Sequence, residues 1–226
     1  GALVMSFSAM EEYYQSQGRE WERYAMIKAR PVAGDREHGH QLMELLRPFV
    51  YRRYLAYGAF ESLRELKAML NREVQRKSMQ DNVKLGPGGI REIEFIGQAF
   101  QLIHGGRREP LRQRPILKIL QVLVDDELLP EYVADELEEA YIFLRNTEHR
   151  LQMWRDEQTH NLPTDEIGQA RLAMAMGCAN WQEFSQKLDA YRKHVDSHFR
   201  QVFAAPQSEE QTETNSHADL QSVWQE

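Results

Sequence analysis

Residues 86–95 read Gly86-Pro87-Gly88-Gly89-Ile90-Arg91-Glu92-Ile93-Glu94-Phe95, a glycine loop that turns at once into an apolar periodic run. Glycines ahead of a helix free the backbone for left-handed angles and close approach. The run continues to about His104, where Gly105-Gly106 ends it. Ile93, Ile96, Gly97, Phe100 and Ile103 form one apolar stripe, and Glu92, Phe95, Ala99 and Leu102 form a second line at similar spacing. A helix that is apolar around most of its circumference is a buried helix. Its first turn nevertheless carries Arg91, Glu92 and Glu94. Burying such charges costs several kcal/mol each unless they are paired or meet solvent at a cleft. One reading is a structural ion pair with acids that complement the helix dipole. The other is a helix end that faces a polar site. Spacing alone does not choose between them.

Outward from this segment nearly everything reads as helix. Towards the N-terminus, Ser8-Ala9-Met10-Glu11 has the capping-box form and opens a helix towards Gly18. Residues 21–29 read as helix followed by an extended end at Pro31, although the alternation in Met26-Ile27-Lys28-Ala29-Arg30 is also a strand signal. Residues 37–60 carry Leu42, Leu45, Leu46, Phe49 and Val50 at helical spacing, with Pro48 expected to cap or kink them. Residues 61–77 form an amphipathic helix on Leu63, Leu66, Leu70 and Val74. Towards the C-terminus, Pro115 opens an apolar helix to Val124. The longest helix is expected over residues 131–157, with Val133, Leu137, Tyr141, Leu144, Leu151 and Trp154 on one side. Thr164 caps residues 165–176. Asn180 with Glu183 caps a helix striped by Trp181, Phe184, Leu188, Tyr191, Val195 and Phe199. Residues 206–226 are rich in Gln, Ser, Thr and Glu and read as a linker.

The expected fold class is therefore all-α, a multi-helix bundle. Residues 1–7 read as the end of a strand, 8–204 as a helical domain with a sub-boundary near 105–114, and 205–226 as a flexible acidic linker. The abrupt start suggests a piece of something longer. At 226 residues the chain can bury a sizeable core without disulfide or metal. Its 28 basic and 35 acidic residues give a net charge of −7, which argues against a general nucleic-acid binder. The single cysteine, Cys178, excludes an internal disulfide and fits a reducing compartment. No apolar run reaches the ~20 residues that span a bilayer, so neither membrane nor nucleic acid is an expected partner.

Chemistry-bearing candidates are few. A helix N-terminus binds phosphate readily, and Lys84 and Arg91 flank the glycine loop. The loop is neither a Walker loop nor a dinucleotide fingerprint, so on spacing alone a plain turn is favoured. Residues 21–30 place Arg23, Lys28 and Arg30 near aromatic groups, a mixture suited to phosphate and a stacked base. The other reading is a solvated basic face, and spacing alone favours it. His194 and His198 are four apart but lack a zincin glutamate between them, so no metal site is expected. His38 and His40 read as exposed loop residues, and Cys178, Met174 and Met176 as packing residues.

Three segments carry a resemblance: Trp21-Glu22-Arg23-Tyr24-Ala25-Met26-Ile27-Lys28-Ala29-Arg30-Pro31-Val32-Ala33-Gly34-Asp35, residues 82–95, and Asp156-Glu157-Gln158-Thr159-His160-Asn161-Leu162-Pro163. Together they resemble the glutamine synthetase adenylyltransferase and adenylyl-removing family, over residues 1–204. The form of the first two segments is similar to the N-terminal, adenylyl-removing half. The resemblance implies a helical region that follows a polymerase-β-like nucleotidyltransferase core, most of which would lie outside this chain with its metal-binding acids. It implies a bifunctional parent enzyme that adenylylates and deadenylylates a tyrosine of glutamine synthetase, releasing AMP to phosphate as ADP. Magnesium and ATP, ADP or phosphate would be the parent's cofactors, glutamine synthetase and the PII signal protein its partners, and the cytoplasm its location.

On this resemblance no catalytic or metal residue is expected here, and the fragment alone should be inactive. Arg23, Lys28, Arg30, Lys84, Gly88, Gly89, Arg91, Glu92 and Glu94 are the cleft candidates. Lys28, Arg30, Lys84 and Arg91 would face phosphate, and Glu92 and Glu94 would orient them or approach the metal. The rival reading is a non-catalytic helical docking module for glutamine synthetase or PII. A domain separated from its partner often exposes an apolar patch, so a fragment homodimer is a further expectation.

Overall fold

The computed structural model describes residues 4–52, 68, 72, 79–154 and 156–203. Among the described residues there are eight α-helices and no strand, as the all-α reading requires. They are α1 (Phe7–Ser16), α2 (Glu20–Met26), α3 (Arg36–Val50), α4 (Ile90–His104), α5 (Ile116–Asp125), α6 (Glu131–Met153), α7 (Glu166–Ala175) and α8 (Trp181–Val202). A short 3-10 turn covers Glu109–Arg112. The chain divides into two compact units, each built from two stretches. The first holds Gly1–Lys67 and Gly97–Ile119, and the second holds Ala68–Ile96 and Leu120–Glu226. Residues 105–114 lie within the first unit.

In the first unit α3 packs against α1 and α2. α1 begins two residues earlier than expected, because Ser6 and not Ser8 is the N-cap: Ser6 Oγ accepts the Ala9 N–H at 3.2 Å. The expected strand end is absent from residues 4–6, and Phe7 is already helical. Residues 27–32 form no strand either, so the helical choice holds for 20–26. Asp35 Oδ1 caps α3 by accepting the His38 N–H at 3.1 Å. That cap draws His38 and His40 into the helix and not a loop, although both remain exposed. Pro48 sits inside the last turn of α3, which ends at Val50 with Leu46, Phe49 and Val50 buried. Proline is accommodated there because the helix stops within two residues, limiting the lost hydrogen bonds.

In the second unit α6 and α8 form the main helix pair, and α7 packs on both. α8 is capped as its sequence suggests, with Asn180 Oδ1 accepting the Glu183 N–H at 2.9 Å. Phe184, Leu188, Val195 and Phe199 are buried along its inner stripe. Phe95, from the first turns of α4, packs edge-on to Phe199 at 5.8 Å and against Phe203 at 5.1 Å. The apolar reading of α4 is met throughout, with Ile90, Ile93, Phe95, Ile96, Ala99, Phe100, Leu102 and Ile103 all buried. α6 stops at Met153, four residues short of the expected end, and Trp154 is 53 % exposed under the Arg171 guanidinium. Asp165, not Thr164, caps α7, accepting the Gly168 N–H at 2.8 Å. Cys178 is buried, but Met174 is 75 % exposed, because α7 turns Leu172 and Ala173 inward instead. The helix expected over 61–77 and the linker expected over 205–226 fall largely or wholly outside the described residues.

Candidate functional site

The glycine loop of the second unit folds back on its own helix. The Gly88 N–H donates to Glu92 Oε2 at 2.9 Å, and the Gly89 N–H to the Gly86 carbonyl at 3.0 Å. The Ile90 and Arg91 N–H groups donate to the carbonyls of Val83 and Lys84 at 3.2 and 3.0 Å. The first N–H groups of α4 are thus engaged within the chain. Gly88 has φ +65°, and a Cβ there would lie 2.2 Å from the Arg192 carbonyl oxygen of α8. The loop needs glycine for both reasons: a left-handed backbone, and a helix backbone pressed against it. Arg192 donates Nη1–H to the Gln80 carbonyl at 3.1 Å. Burial pushes its guanidinium below the ordinary arginine range, opposed by Asp189, Asp81 and Glu92.

Two of the three resembling segments meet in this unit. Asn82 and Asn161 form an isolated antiparallel bridge, and their side chains hydrogen-bond at 2.8 Å. The Val83 N–H donates to the His160 carbonyl at 2.9 Å, and the Leu162 N–H to the Asp81 carbonyl at 3.1 Å. Asn82 Oδ1 also accepts the Lys84 and Leu85 N–H groups at 3.1 and 2.8 Å. The carboxylate of Glu148 on α6 lies at this junction, only 2 % exposed. Its Oε1 is 2.9 Å from His160 Nδ1 and 3.4 Å from Lys84 Nζ, and Arg145 pairs with Oε2 from one turn earlier. Burial, and then the Lys84 charge, hold His160 below the ordinary histidine range, with Glu148 opposing. Of the remaining candidates, Arg91 donates Nη2–H to the Leu85 carbonyl at 3.4 Å. Glu94 Oε1 stands 3.5 Å from the Tyr141 hydroxyl, whose ionisation is pushed up by burial and by Glu94.

Sequence reasoning missed Glu148, Arg145, Tyr141 and Arg192. For Glu148 a signal existed. Val133, Leu137, Ala140 and Leu144 are among the buried positions of α6, and Glu148 continues their three-and-four spacing where an apolar residue belongs.

The first unit uses its basic residues otherwise. Arg23 is 3 % exposed. It donates Nε–H to the Val50 carbonyl at 2.8 Å, Nη2–H to the Leu102 carbonyl at 2.9 Å, and Nη1–H to Glu20 at 3.2 Å. Burial lowers its pKa, against the pull of Glu20. Lys28 donates to the Arg114 carbonyl, and Arg30 is exposed. In the second unit, Glu136 Oε2 lies 2.6 Å from His198 Nε2 and 3.8 Å from His194 Nδ1. Among the described residues no group of three or more His, Cys, Asp or Glu side chains is arranged to hold a metal ion. No described helix is long and apolar enough to cross a membrane.

Comparison with known proteins matches residues 64–203, more than half of the chain, to the family model GlnD PII-uridylyltransferase. Residues 1–45 match the model Glutamate-ammonia ligase adenylyltransferase. The chain is 56 % identical over 224 residues to the bifunctional glutamine synthetase adenylyltransferase/adenylyl-removing enzyme of Nitrosococcus oceani, covering 99 % of this chain and 23 % of that protein. It is 57 % identical over 228 residues to the enzyme of the same name from Thioalkalivibrio sulfidiphilus, covering 99 % and 24 %. The Pseudomonas putida enzyme is 58 % identical over 210 residues, covering 93 % and 22 %. The chain spans about a quarter of the length of these curated relatives. Residues 64–203 place it in the family of the GlnD PII-uridylyltransferase model, and over nearly its whole length it is similar to part of the bifunctional glutamine synthetase adenylyltransferase/adenylyl-removing enzymes.

Proposed function

We propose that this chain is the helical part of the N-terminal, adenylyl-removing half of such an enzyme, and that its second unit handles phosphate during removal of AMP from a tyrosine of glutamine synthetase. The observation that carries this reading is the junction of residues 82–95 with 156–163. There a buried carboxylate gathers Lys84, Arg145 and His160, while Lys84 and Arg145 keep about a third of their side-chain surface in solvent. Phosphoryl and nucleotidyl transfer depend chiefly on positioning and charge neutralisation, and a rigid array of cations supplies both. In this reading Lys84 and Arg91 face the phosphate. Glu92 holds the glycine loop closed through the Gly88 N–H. Glu94, with Tyr141, flanks the array. Gly88 and Gly89 serve it by packing. Arg23 leaves the set of phosphate contacts, since carbonyls and Glu20 take its donors.

Magnesium, with ATP, ADP or phosphate as nucleotide ligands, belongs to the parent enzyme in this proposal and would neutralise phosphate charge there. Among the described residues no group of three or more His, Cys, Asp or Glu side chains could hold that metal. A cytoplasmic location follows from the proposed substrate. The test is phosphorolysis of adenylylated glutamine synthetase by the intact enzyme carrying Arg91→Ala or Glu94→Ala. A fall of tenfold or more with unchanged thermal unfolding is expected; wild-type rates in both variants would refute the assignment.

A docking role for PII or glutamine synthetase has one observation in its favour. Ile167 and Met174 are 72 % and 75 % exposed on α7, and Arg171, at helical spacing from both, lies over the exposed Trp154. Loss of PII binding by the intact enzyme on Ile167→Glu, with phosphorolysis retained, would support that second role.

A further inference from the structure

A carboxylate in the apolar stripe of α6 needs a reason. Glu148 is 2 % exposed, and burying an unpaired carboxylate costs several kcal/mol. A methionine at that place would pack without such a cost, and replacing buried ion pairs by apolar residues is often neutral or stabilising. Stability alone therefore does not account for Glu148.

Its partners suggest what does. They come from three segments: Lys84 from the glycine loop, Arg145 from α6 and His160 from the turn beyond α6. The carboxylate lies inside, whereas the Lys84, Arg145 and His160 side chains are 37 %, 33 % and 22 % exposed. The negative charge is buried, and the two permanent cations beside it, Lys84 and Arg145, keep part of their surface in solvent. The 3.4 Å approach of Lys84 Nζ to Oε1 is a loose ion pair and not an aligned hydrogen bond. An ammonium has three donors, so this contact fixes its direction without exhausting it. The Lys84 backbone is held separately, by Asn82 Oδ1 and by the Arg91 N–H. Removing the Glu148 charge should therefore free the Lys84 side chain while its backbone stays in place.

We propose that Glu148 is a positioning residue for phosphate, aiming the Lys84 ammonium outward from the junction of residues 82–85 and 160–162. This rests on the reading of Lys84 as a phosphate contact. The test uses the intact enzyme with adenylylated glutamine synthetase and inorganic phosphate as the varied substrate. Glu148→Gln keeps the shape and removes the charge. It should raise KM for phosphate about tenfold and change kcat less than about threefold, the signature of lost ground-state binding. Lys84→Met should raise KM at least as much, and Glu148→Gln/Lys84→Met no more than Lys84→Met alone, because the two residues act as one unit.

A normal KM in Glu148→Gln beside a raised KM in Lys84→Met overturns the positioning role and leaves the phosphate reading intact. Full additivity in the double variant overturns it as well. A normal KM in Lys84→Met defeats the phosphate reading itself. Should Glu148→Gln fail to fold, Lys84→Arg decides. Its guanidinium retains the charge that Glu148 can aim, so KM should return to within about threefold of wild type. An arginine no better than methionine would overturn the proposal.

Discussion

Arg23 in the first unit and Lys84 in the second are both held by the protein's own oxygens, but of different kinds. Arg23 is fully buried, and two of its donors end on neutral carbonyls, those of Val50 and Leu102. Such a guanidinium is a staple between segments far apart in sequence, and its charge is balanced by Glu20. Lys84 meets a carboxylate that is buried while its own head stays partly in solvent. The first arrangement spends the cation on the fold. The second keeps a directed positive charge at the surface, which is what phosphate recognition requires.

The largest effect that would sharpen this contrast is expected from Arg23→Met. It leaves the buried Val50 and Leu102 carbonyls without their donors, while Glu20 keeps Arg52, and each buried polar group left unsatisfied costs about 1–3 kcal/mol. Denaturant unfolding of the intact protein should show a loss of that size. A change below about 1 kcal/mol would mean that water replaces Arg23 easily and that it is no staple.

Next come two glycines with similar backbones and different neighbours. Gly34 of the first unit has φ +82° with nothing within 4 Å of an added Cβ, whereas at Gly88 that Cβ meets the Arg192 backbone at 2.2 Å. Alanine at either position costs about 1–2 kcal/mol for the left-handed conformation. At Gly88 it costs about 1–3 kcal/mol more for forcing backbones apart. Equal losses in the two variants would show that the loop does not press on α8 as described.

The smallest effect is the pH dependence of His160. Its pKa in the fold lies below the ordinary 6.5, so the unfolded chain binds the proton more readily. The stability it contributes is then present above about pH 6.5 and lost as the pH falls through that value towards the folded one. Thermal unfolding from about pH 7.5 to 5.5 should decline less steeply in His160→Asn than in the parent. A steeper decline in the variant would mean that Glu148 dominates and that the imidazole is charged in the fold.

Much of this contrast was legible in the sequence, and some was not, for identifiable reasons. α4 and α8 were legible because the apolar period and the Asn180 cap agree. The start of α1 was misread because Ser6 and Ser8 both offer a hydroxyl, and only the fold chooses which accepts the Ala9 N–H. The end of α6 was misread because Leu151 and Trp154 prolong its stripe beyond the point where the chain leaves the helix. The glycine loop was recognised, but its use of its own N–H groups depends on Glu92, Val83 and Lys84 closing on it, which no spacing rule encodes. Arg23 and Lys84 looked equally available, since burial by residues 79 or 64 positions away leaves no local trace.

The most direct measurement compares both activities of one intact enzyme carrying Lys84→Met. Phosphorolysis of adenylylated glutamine synthetase should need about tenfold more phosphate, while ATP-dependent adenylylation and thermal unfolding stay within about twofold and about 2 °C of wild type. Unchanged phosphate dependence, or equal loss of both activities, would contradict the assignment of this junction to phosphate in the adenylyl-removing half.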